Sequence, residues 1–568
     1  MQSVVSTDVV VVGSGAAGLV AAITAAVSGC KVIVLEKTEF FGGTTAWSGG
    51  AAWVPNNHLM WGAGVADSYD DAYTYMKAIV GEHFDEEMAR AFLTNAPKML
   101  EFLEQHTTAL RFASYPGPDY HQDAPGAMKA ARSVLPKPFD GKLLGPYLPM
   151  LRRPLKELAV FGGMQVDVMD LFHLQHCHRS LASFRHSVKL VGRYFLDRLR
   201  YSQGTRLIRG NALAGRLLRA ALDLDITLWS KVVAKELVVE EGRVTGIVVG
   251  RGGEEIQVVA SRGVILATGG FAANEVMRKQ LIPFPDSHWS MLPVGNVGDG
   301  INLATSVGAS HGTENASNGF WTPVSILKKE TGGVVKYPHL AFDRCKPGSV
   351  IVNRQGKRFV NEAASYQQVV NSMHTDSAVP AYLIADHAFL RKHGMGLARP
   401  WPYPYLKFVK TGYLVEAPTL DALAEELEIS PDGLRLTVAQ MNEYARTGVD
   451  KDFARGADIY TRSLGDAENK PNPCLGTLEE APFYAVRLYP GDVGTAYGLL
   501  VNPNAQVLNA EGKVIAGLYA CGLDMNSVMR GTYPSAGSMH GPNMTFGYLA
   551  GRHVAQCAEV QRNQTEVA

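Results

Sequence analysis

Cysteine is scarce in this chain of 568 residues. There are six, Cys30, Cys177, Cys345, Cys474, Cys521 and Cys557, and no two stand close enough for a CxxC pair. That excludes a disulfide scaffold, an iron–sulfur site and a cysteine-based zinc site, and it fits a reducing cytoplasm. Net charge is missing as well, since 54 Lys+Arg balance 54 Asp+Glu. Without a charge excess, the chain's overall field recruits neither nucleic acid nor an anionic membrane. There is no internal repeat and no low-complexity linker. One uncharged run, residues 9–30, has the length of a membrane span. It is broken by Gly13, Ser14, Gly15 and Gly18, and it lacks the basic flank and cleavage site of a signal peptide. No transmembrane segment is expected.

Glycine, by contrast, is abundant at 58 residues. In an enzyme-sized chain this points to tight turns and close backbone approach to a ligand. The length predicts two or more domains. Apolar residues at 46% and charged residues at 19% are ordinary for a globular protein.

Residues 8–12 read DVVVV, a β-branched run suited to a buried parallel strand. Gly13-Ser14-Gly15-Ala16-Ala17-Gly18 follows, then an Ala-rich helical stretch ended by Gly29. Residues 31–35, KVIVL, form a second strand closed by Glu36 and Lys37. This is a βαβ unit with the dinucleotide fingerprint in its proper place. Gly13 permits the turn, Gly15 lets the backbone approach a pyrophosphate, and Gly18 lets the helix pack close to the strand. The helix N-terminus offers N–H donors and partial positive charge to the phosphates. Glu36 can accept hydrogen bonds from ribose hydroxyls and would repel a 2′-phosphate. This argues against NADP and leaves NAD or FAD.

Directly after comes Phe41-Gly42-Gly43-Thr44-Thr45-Ala46-Trp47-Ser48-Gly49-Gly50. It resembles the segment that wraps the flavin of FAD in fumarate reductase-like flavoproteins. Two further segments are similar to that superfamily: residues 263–270, with Ala267, Thr268 and Gly269, and residues 517–547, with Gly522, Gly541 and Pro542. The likeness narrows at Trp53-Val54-Pro55-Asn56-Asn57, at Pro347-Gly348-Ser349 with residues 352–362 (VNRQGKRFVNE), and at Tyr533-Pro534-Ser535-Ala536-Gly537. These resemble the 3-ketosteroid dehydrogenase group, which includes cyclic-ketone desaturases, over nearly the whole chain. Ser535 departs from the glycine often found there, and residues 139–200 form a basic, apolar stretch at odds with the family pattern.

The resemblance implies an α/β fold: a discontinuous Rossmann-like FAD-binding domain with an inserted α+β catalytic domain. The expected division is residues 1–278 and 481–568 for the FAD domain and 279–480 for the catalytic domain. It also implies that Val233 and Asp299 join the cofactor set. FAD is expected to be non-covalent, since no histidine lies between Glu36 and Asn57 to attach it.

Desaturating a ketone needs a base for the α proton, a hydride acceptor for the β carbon, and donors for the carbonyl oxygen as it gains enolate charge. By resemblance, Tyr533 and Gly537 hold the oxygen. Tyr337, which precedes Pro347-Gly348-Ser349, is the expected base. Tyr120, with Tyr115 second, is the expected neighbour that helps it, because a free phenol titrates near 10. A 3-ketosteroid and a smaller cyclohexanone-type ketone both remain as substrates, with a quinone or a protein as external electron acceptor. Fumarate reductase-like chemistry would need an arginine acid and a clamp for two carboxylates, and the motif from Tyr533 to Gly537 suits a ketone oxygen better. His173, His176 and His178 flank Cys177, but no carboxylate partner is evident, and no metal is expected.

Overall fold

The computed structural model describes residues 3–341 and 343–565, with side chains described to residue 556. The strand Ser3–Val12 lies inside an eight-stranded sheet, and its residues Val9 to Val12 are buried on both faces. That double burial is why the run is purely β-branched rather than alternating. The strand pairs in parallel with Val32–Leu35, where Val9 meets Val32, and with Glu254–Leu266, where Val12 meets Leu266. The helix Ala16–Val27 makes the crossover between the first two.

The sheet is completed from the far end of the chain. Val514–Ala520 runs parallel to Glu254–Leu266, with Val264 opposite Leu518. The first lobe is therefore built from both ends of the chain. The C-terminal helix, His540–Thr565, lies against Ala16–Val27. A Cβ on Gly547 would stand 2.4 Å from the Ala17 carbonyl oxygen, and one on Gly551 would stand 2.4 Å from that of Ala21. Two glycines one turn apart let the helix backbones touch.

A second sheet has seven strands and is built around Phe483–Thr495. That strand pairs antiparallel with Gly319–Lys328 and with Ala381–Ala385. It begins just past the expected boundary at 480, so the second sheet extends to Thr495. Helices Tyr366–Thr375, Leu420–Leu427 and Pro431–Thr447 belong to this lobe. Among the described residues, no helix is long and apolar enough to cross a membrane.

Candidate active site

A cleft opens between the first sheet and Val493 of the second. Its floor is the fingerprint turn, with Gly13, Ser14, Gly15, Ala16 and Ala17 all lining it. Gly15 is the N-cap of Ala16–Val27 and provides no side-chain cap. The first-turn N–H groups are thus available to a ligand, apart from that of Ala16, which donates to Thr45 Oγ1 at 3.0 Å. Gly18 does not line the cleft; a Cβ there would strike the Gly13 carbonyl oxygen at 2.2 Å, so its role is helix–strand packing. Glu36 is buried at the end of its strand. It accepts the Ser14 hydroxyl at 2.5 Å and both the N–H and the hydroxyl of Thr38 at 2.9 Å. Lys37 pairs with Asp299 at 2.7 Å, joining the fingerprint to a helix of the other segment. Gly43, Thr44, Thr45, Ser48, Ala267, Thr268, Gly269 and Gly522 complete the expected wall.

Besides Gly18, five expected cofactor residues lie off that wall. Val233 turns its side chain to solvent, 44% exposed, while Val232 and Ala234 line the cleft, as alternation along a strand requires. Gly49 is exposed to solvent, and Gly50 is buried, where a Cβ would stand 2.4 Å from the Arg209 carbonyl carbon. Gly541 and Pro542 begin the last helix, where a Cβ on Gly541 would meet the Trp53 carbonyl oxygen at 2.0 Å. The residues of that helix start that do face the cleft are Met539, His540 and Asn543. Helical spacing marks such a face once the helix start is known. His540 Nε2 stands 3.5 Å from Ser48 Oγ, and burial pushes its imidazole down to about 4, so it is neutral. Arg152 and Asn296 also line the cleft without any local sequence signal. The uncapped helix N-terminus, the buried carboxylate one strand away and the long two-sided cleft fit a flavin dinucleotide.

Aromatic rings gather beside the last expected motif. Tyr533 is 5% exposed, and its ring lies 4.9 Å from that of Tyr366 and 5.9 Å from that of Tyr120, with which it is stacked. Tyr120 also packs on Tyr460 at 4.5 Å. Burial raises the phenols of Tyr366 and Tyr120 well above the ordinary value, and neighbouring phenols add to the effect. Tyr533 is pushed up to about 12 by burial, with hydrogen bonding from Tyr366 opposing.

The loop after Tyr533 is held at every carbonyl that could swing. Tyr75 donates its hydroxyl to the Pro534 oxygen at 2.7 Å, and the Tyr120 N–H donates to the same oxygen at 2.8 Å. Ser133 donates to the Ala536 oxygen at 2.6 Å, and the Trp53 N–H to the Gly537 oxygen at 3.0 Å. Gly537 has φ of +85°, and a Cβ there would lie 2.5 Å from the Ala51 carbonyl carbon, so only glycine fits. Its N–H meets no acceptor among the described residues. Buried N–H groups are nearly always paired, so this one is free for a ligand. Ser535 is accommodated by turning its hydroxyl to Ser133, 3.5 Å away.

Tyr120 is positioned from below. Asp119 accepts the Trp53 indole N–H at 3.1 Å, the Met128 N–H at 3.0 Å and Arg132 Nη1 at 2.9 Å. Gln367, next to Tyr366, accepts the Trp321 N–H at 2.6 Å and donates to the Gly531 oxygen at 2.8 Å. It thereby ties the helix of Tyr366 to the loop of Tyr533.

Tyr337, the expected base, is not in this cluster. It lies in the strand Val334–Pro338, paired with Ser325, and its ring contact is with His339 at 5.1 Å. Its electrostatic neighbours are Asp343, Tyr413, Arg399 and Arg209. The tyrosine beside Tyr533 comes from the other side of the motif: Tyr366 opens a helix four residues after Glu362. The only local signal was an aromatic residue directly behind an N-cap serine. Among the described residues, no group of three or more His, Cys, Asp or Glu could hold a metal. His173 Nδ1 instead stands 3.0 Å from Ser183 Oγ, and His176 Nδ1 stands 2.8 Å from the Phe172 oxygen.

The family described as FAD binding domain matches residues 8–539. A 4-oxocyclohex-2-ene-1-carboxylate 5-dehydrogenase of Sinomonas cyclohexanicum is 38% identical over 98% of this chain and 95% of its own length. A 3-oxosteroid 1-dehydrogenase of Mycolicibacterium smegmatis is 37% identical over 98% of both chains. Among solved structures, the 3-ketosteroid delta1-dehydrogenase from Sterolibacterium denitrificans, in complex with 1,4-androstadiene-3,17-dione, superposes with a TM-score of 0.89. It is 36% identical and covers 97% of this chain and 100% of that one. A flavocytochrome c3 fumarate reductase, 21% identical with a TM-score of 0.62, shares the fold alone. The chain belongs to the FAD binding domain family and, within it, to the oxosteroid and oxocyclohexene carboxylate dehydrogenases, FAD-dependent oxidoreductases that act on CH–CH bonds.

Proposed function

We propose that this enzyme introduces a C=C bond next to the carbonyl of a cyclic ketone, of 3-ketosteroid or cyclohexanone type. The observation that carries the reading is the meeting of two buried phenols, Tyr533 and Tyr366, beside the uncommitted N–H of Gly537. Tyr533 and Gly537 hold the ketone oxygen. They are donors fixed in advance, in a dry site, and so favour the state in which charge has moved onto oxygen. Tyr366 takes the α proton. Burial keeps its phenol protonated at neutral pH, so it must pass its own proton on as it receives the substrate's. Tyr120, electrostatically coupled to Tyr366 and stacked on Tyr533, is the next group in the relay: it accepts that proton at its oxygen and releases its own hydroxyl proton to bulk water. Bound FAD supplies the acceptor for the β hydride. The electrons then leave to an external quinone or protein acceptor, and the enzyme works in the cytoplasm, as its cysteine usage suggests.

The test is anaerobic mixing of the FAD-loaded enzyme with a 3-ketosteroid and, separately, with a 4-oxocyclohexanecarboxylate. At least one should bleach the flavin absorbance and form a conjugated product that carries one more C=C bond. If neither ketone bleaches the flavin and an activated C=C compound instead reoxidises the reduced enzyme, the reading is wrong.

A further inference from the structure

Eleven of the 27 large apolar side chains exposed among the described residues fall between Phe161 and Leu199. All but Phe161 sit on a helical hairpin formed by Val168–Gln175 and Leu181–Arg200. The longer helix is inverted relative to an ordinary surface helix, whose apolar stripe faces the core. Its buried positions are Ser183, Ser187, Leu190, Tyr194 and Asp197. Polar bonds hold that face to the body: Ser187 donates to the His173 oxygen at 3.1 Å, Tyr194 donates to the Phe161 oxygen at 3.2 Å, and Asp197 accepts the Thr205 hydroxyl at 2.6 Å. The outward stripe is Leu181, Phe184, Val188, Phe195 and Leu199, with Leu181 73% and Leu199 81% exposed. At 100° per residue, this stripe lies about 135° round from the buried one. Along its outer edge run Arg185, Lys189 and Arg200, all exposed, with Arg179 just before the helix. Within the two helices the carboxylates Asp170 and Asp197 are 2% and 5% exposed, and Asp167, which caps the first helix, is committed to Arg206 at 3.3 Å, so no unpaired carboxylate accompanies the apolar and basic stripes.

We propose that this hairpin docks on the surface of a bilayer that contains anionic phospholipid. The Phe/Leu/Val stripe would enter the acyl boundary while the arginines and lysine meet headgroup phosphates. A second copy fits poorly, because a twofold contact would set the same basic row against itself with no carboxylate to answer it. The chain's zero net charge conceals this local excess. The placement would bring an enzyme of apolar substrates, and of an external acceptor, to the phase that concentrates both. It does not depend on which ketone is the substrate.

Flotation of the FAD-loaded enzyme with vesicles tests it. Vesicles of phosphatidylcholine mixed with phosphatidylglycerol should carry the protein, phosphatidylcholine alone should carry little, and high salt should release it. The double variant Arg185→Ala/Lys189→Ala should partition about thirtyfold less, from about 1 kcal/mol per basic residue near the surface. Phe184→Ser with Val188→Ser should also fall away. Both variants should keep the flavin spectrum and anaerobic reduction by substrate, which reports an intact fold. Wild-type protein that stays unbound with anionic vesicles overturns the proposal. So does binding that neither variant alters, or a wild-type dimer in sedimentation that Phe184→Ser makes monomeric, since a second copy would then be the occupant.

Discussion

A hydroxyl and a peptide N–H can stabilise one oxygen only if neither is free to relax away from it. At Tyr533 the ring is wedged between Tyr366, Tyr120 and Phe320. At Gly537 the backbone is pinned through its carbonyl to Trp53. Tyr533→Phe keeps the ring and deletes the donor. Loss of one such preorganised donor costs about 2.7–4 kcal/mol of transition-state stabilisation. The kcat for ketone oxidation should therefore fall about a hundred- to a thousandfold, with a smaller change in apparent ketone affinity. Steady-state kinetics with an artificial acceptor separate the two. The base is tested by a pair of variants. Tyr366→Phe should bind the ketone yet lose at least about a hundredfold in the rate of anaerobic flavin reduction, the scale of general-base loss. Tyr337→Phe should stay near wild type, because its phenol faces His339 and not the cluster. Equal losses in both would mean that Tyr337 also reaches the reacting carbon.

Elements explain why one half of the site could be read from the chain and the other could not. The unit from residue 8 to residue 36 is local: strand, turn, helix and acid follow one another, and each glycine has a steric reason visible in the spacing. Residues 514–543 could be placed in the same sheet only because motifs at both ends resembled one family. The sequence points to Tyr337, which precedes the Pro347 motif, and only the fold shows that Tyr366, which follows it, is the one packed against Tyr533. Val233 was misjudged by one residue, enough to turn a side chain from cleft to solvent. The inverted helix Leu181–Arg200 has a regular period, and periodicity alone does not say which stripe faces inward. The glycines that join the two ends make a prediction at this scale. Gly547→Val would drive a branched side chain into the Ala17 carbonyl, 2.4 Å from its Cβ. The two helices must part under the fingerprint turn that Ala17 lines. Overpacking of this kind costs about 1–3 kcal/mol. A lower Tm and weaker FAD binding should appear together in thermal melts run with and without added FAD. Gly62→Ala, where a Cβ meets nothing within 4 Å, should leave both unchanged.

In the whole molecule, the cofactor cleft draws on residues from Val12 to Asn543, so FAD closes over contacts from both ends of the chain. Affinity spread so widely needs no covalent bond. Acid precipitation of the holoprotein should release all the yellow colour, and colour retained in the pellet would contradict this. The second lobe has its own clamp. Glu362 is wholly buried, bonded to Arg358 at 2.8 Å and to Arg455 at 3.1 Å, and Arg358 also reaches Asp450 at 2.8 Å. Burial by itself would raise both carboxyls, but the two arginines outweigh it for Glu362, and Arg358 with backbone N–H groups outweighs it for Asp450, so both titrate below their usual range. For a carboxyl depressed in the folded state, the sign is fixed. Its contribution is fully present above the unfolded value, near 4.3 for Glu and 3.9 for Asp, and is lost as pH falls through the lower folded value. The lobe should therefore hold its Tm down to about pH 4 and lose it steeply below. Glu362→Gln strips the charge that compensates Arg455, which leaves a buried cation short of a partner. At neutral pH that should cost about 3–5 kcal/mol. As pH falls from the unfolded value through the depressed folded one, wild type loses the same contribution, so the two melting temperatures should converge as acid is added. A gap between them that stays constant from pH 7 to pH 3 would show that packing of the side chain, and not its charge, holds the clamp.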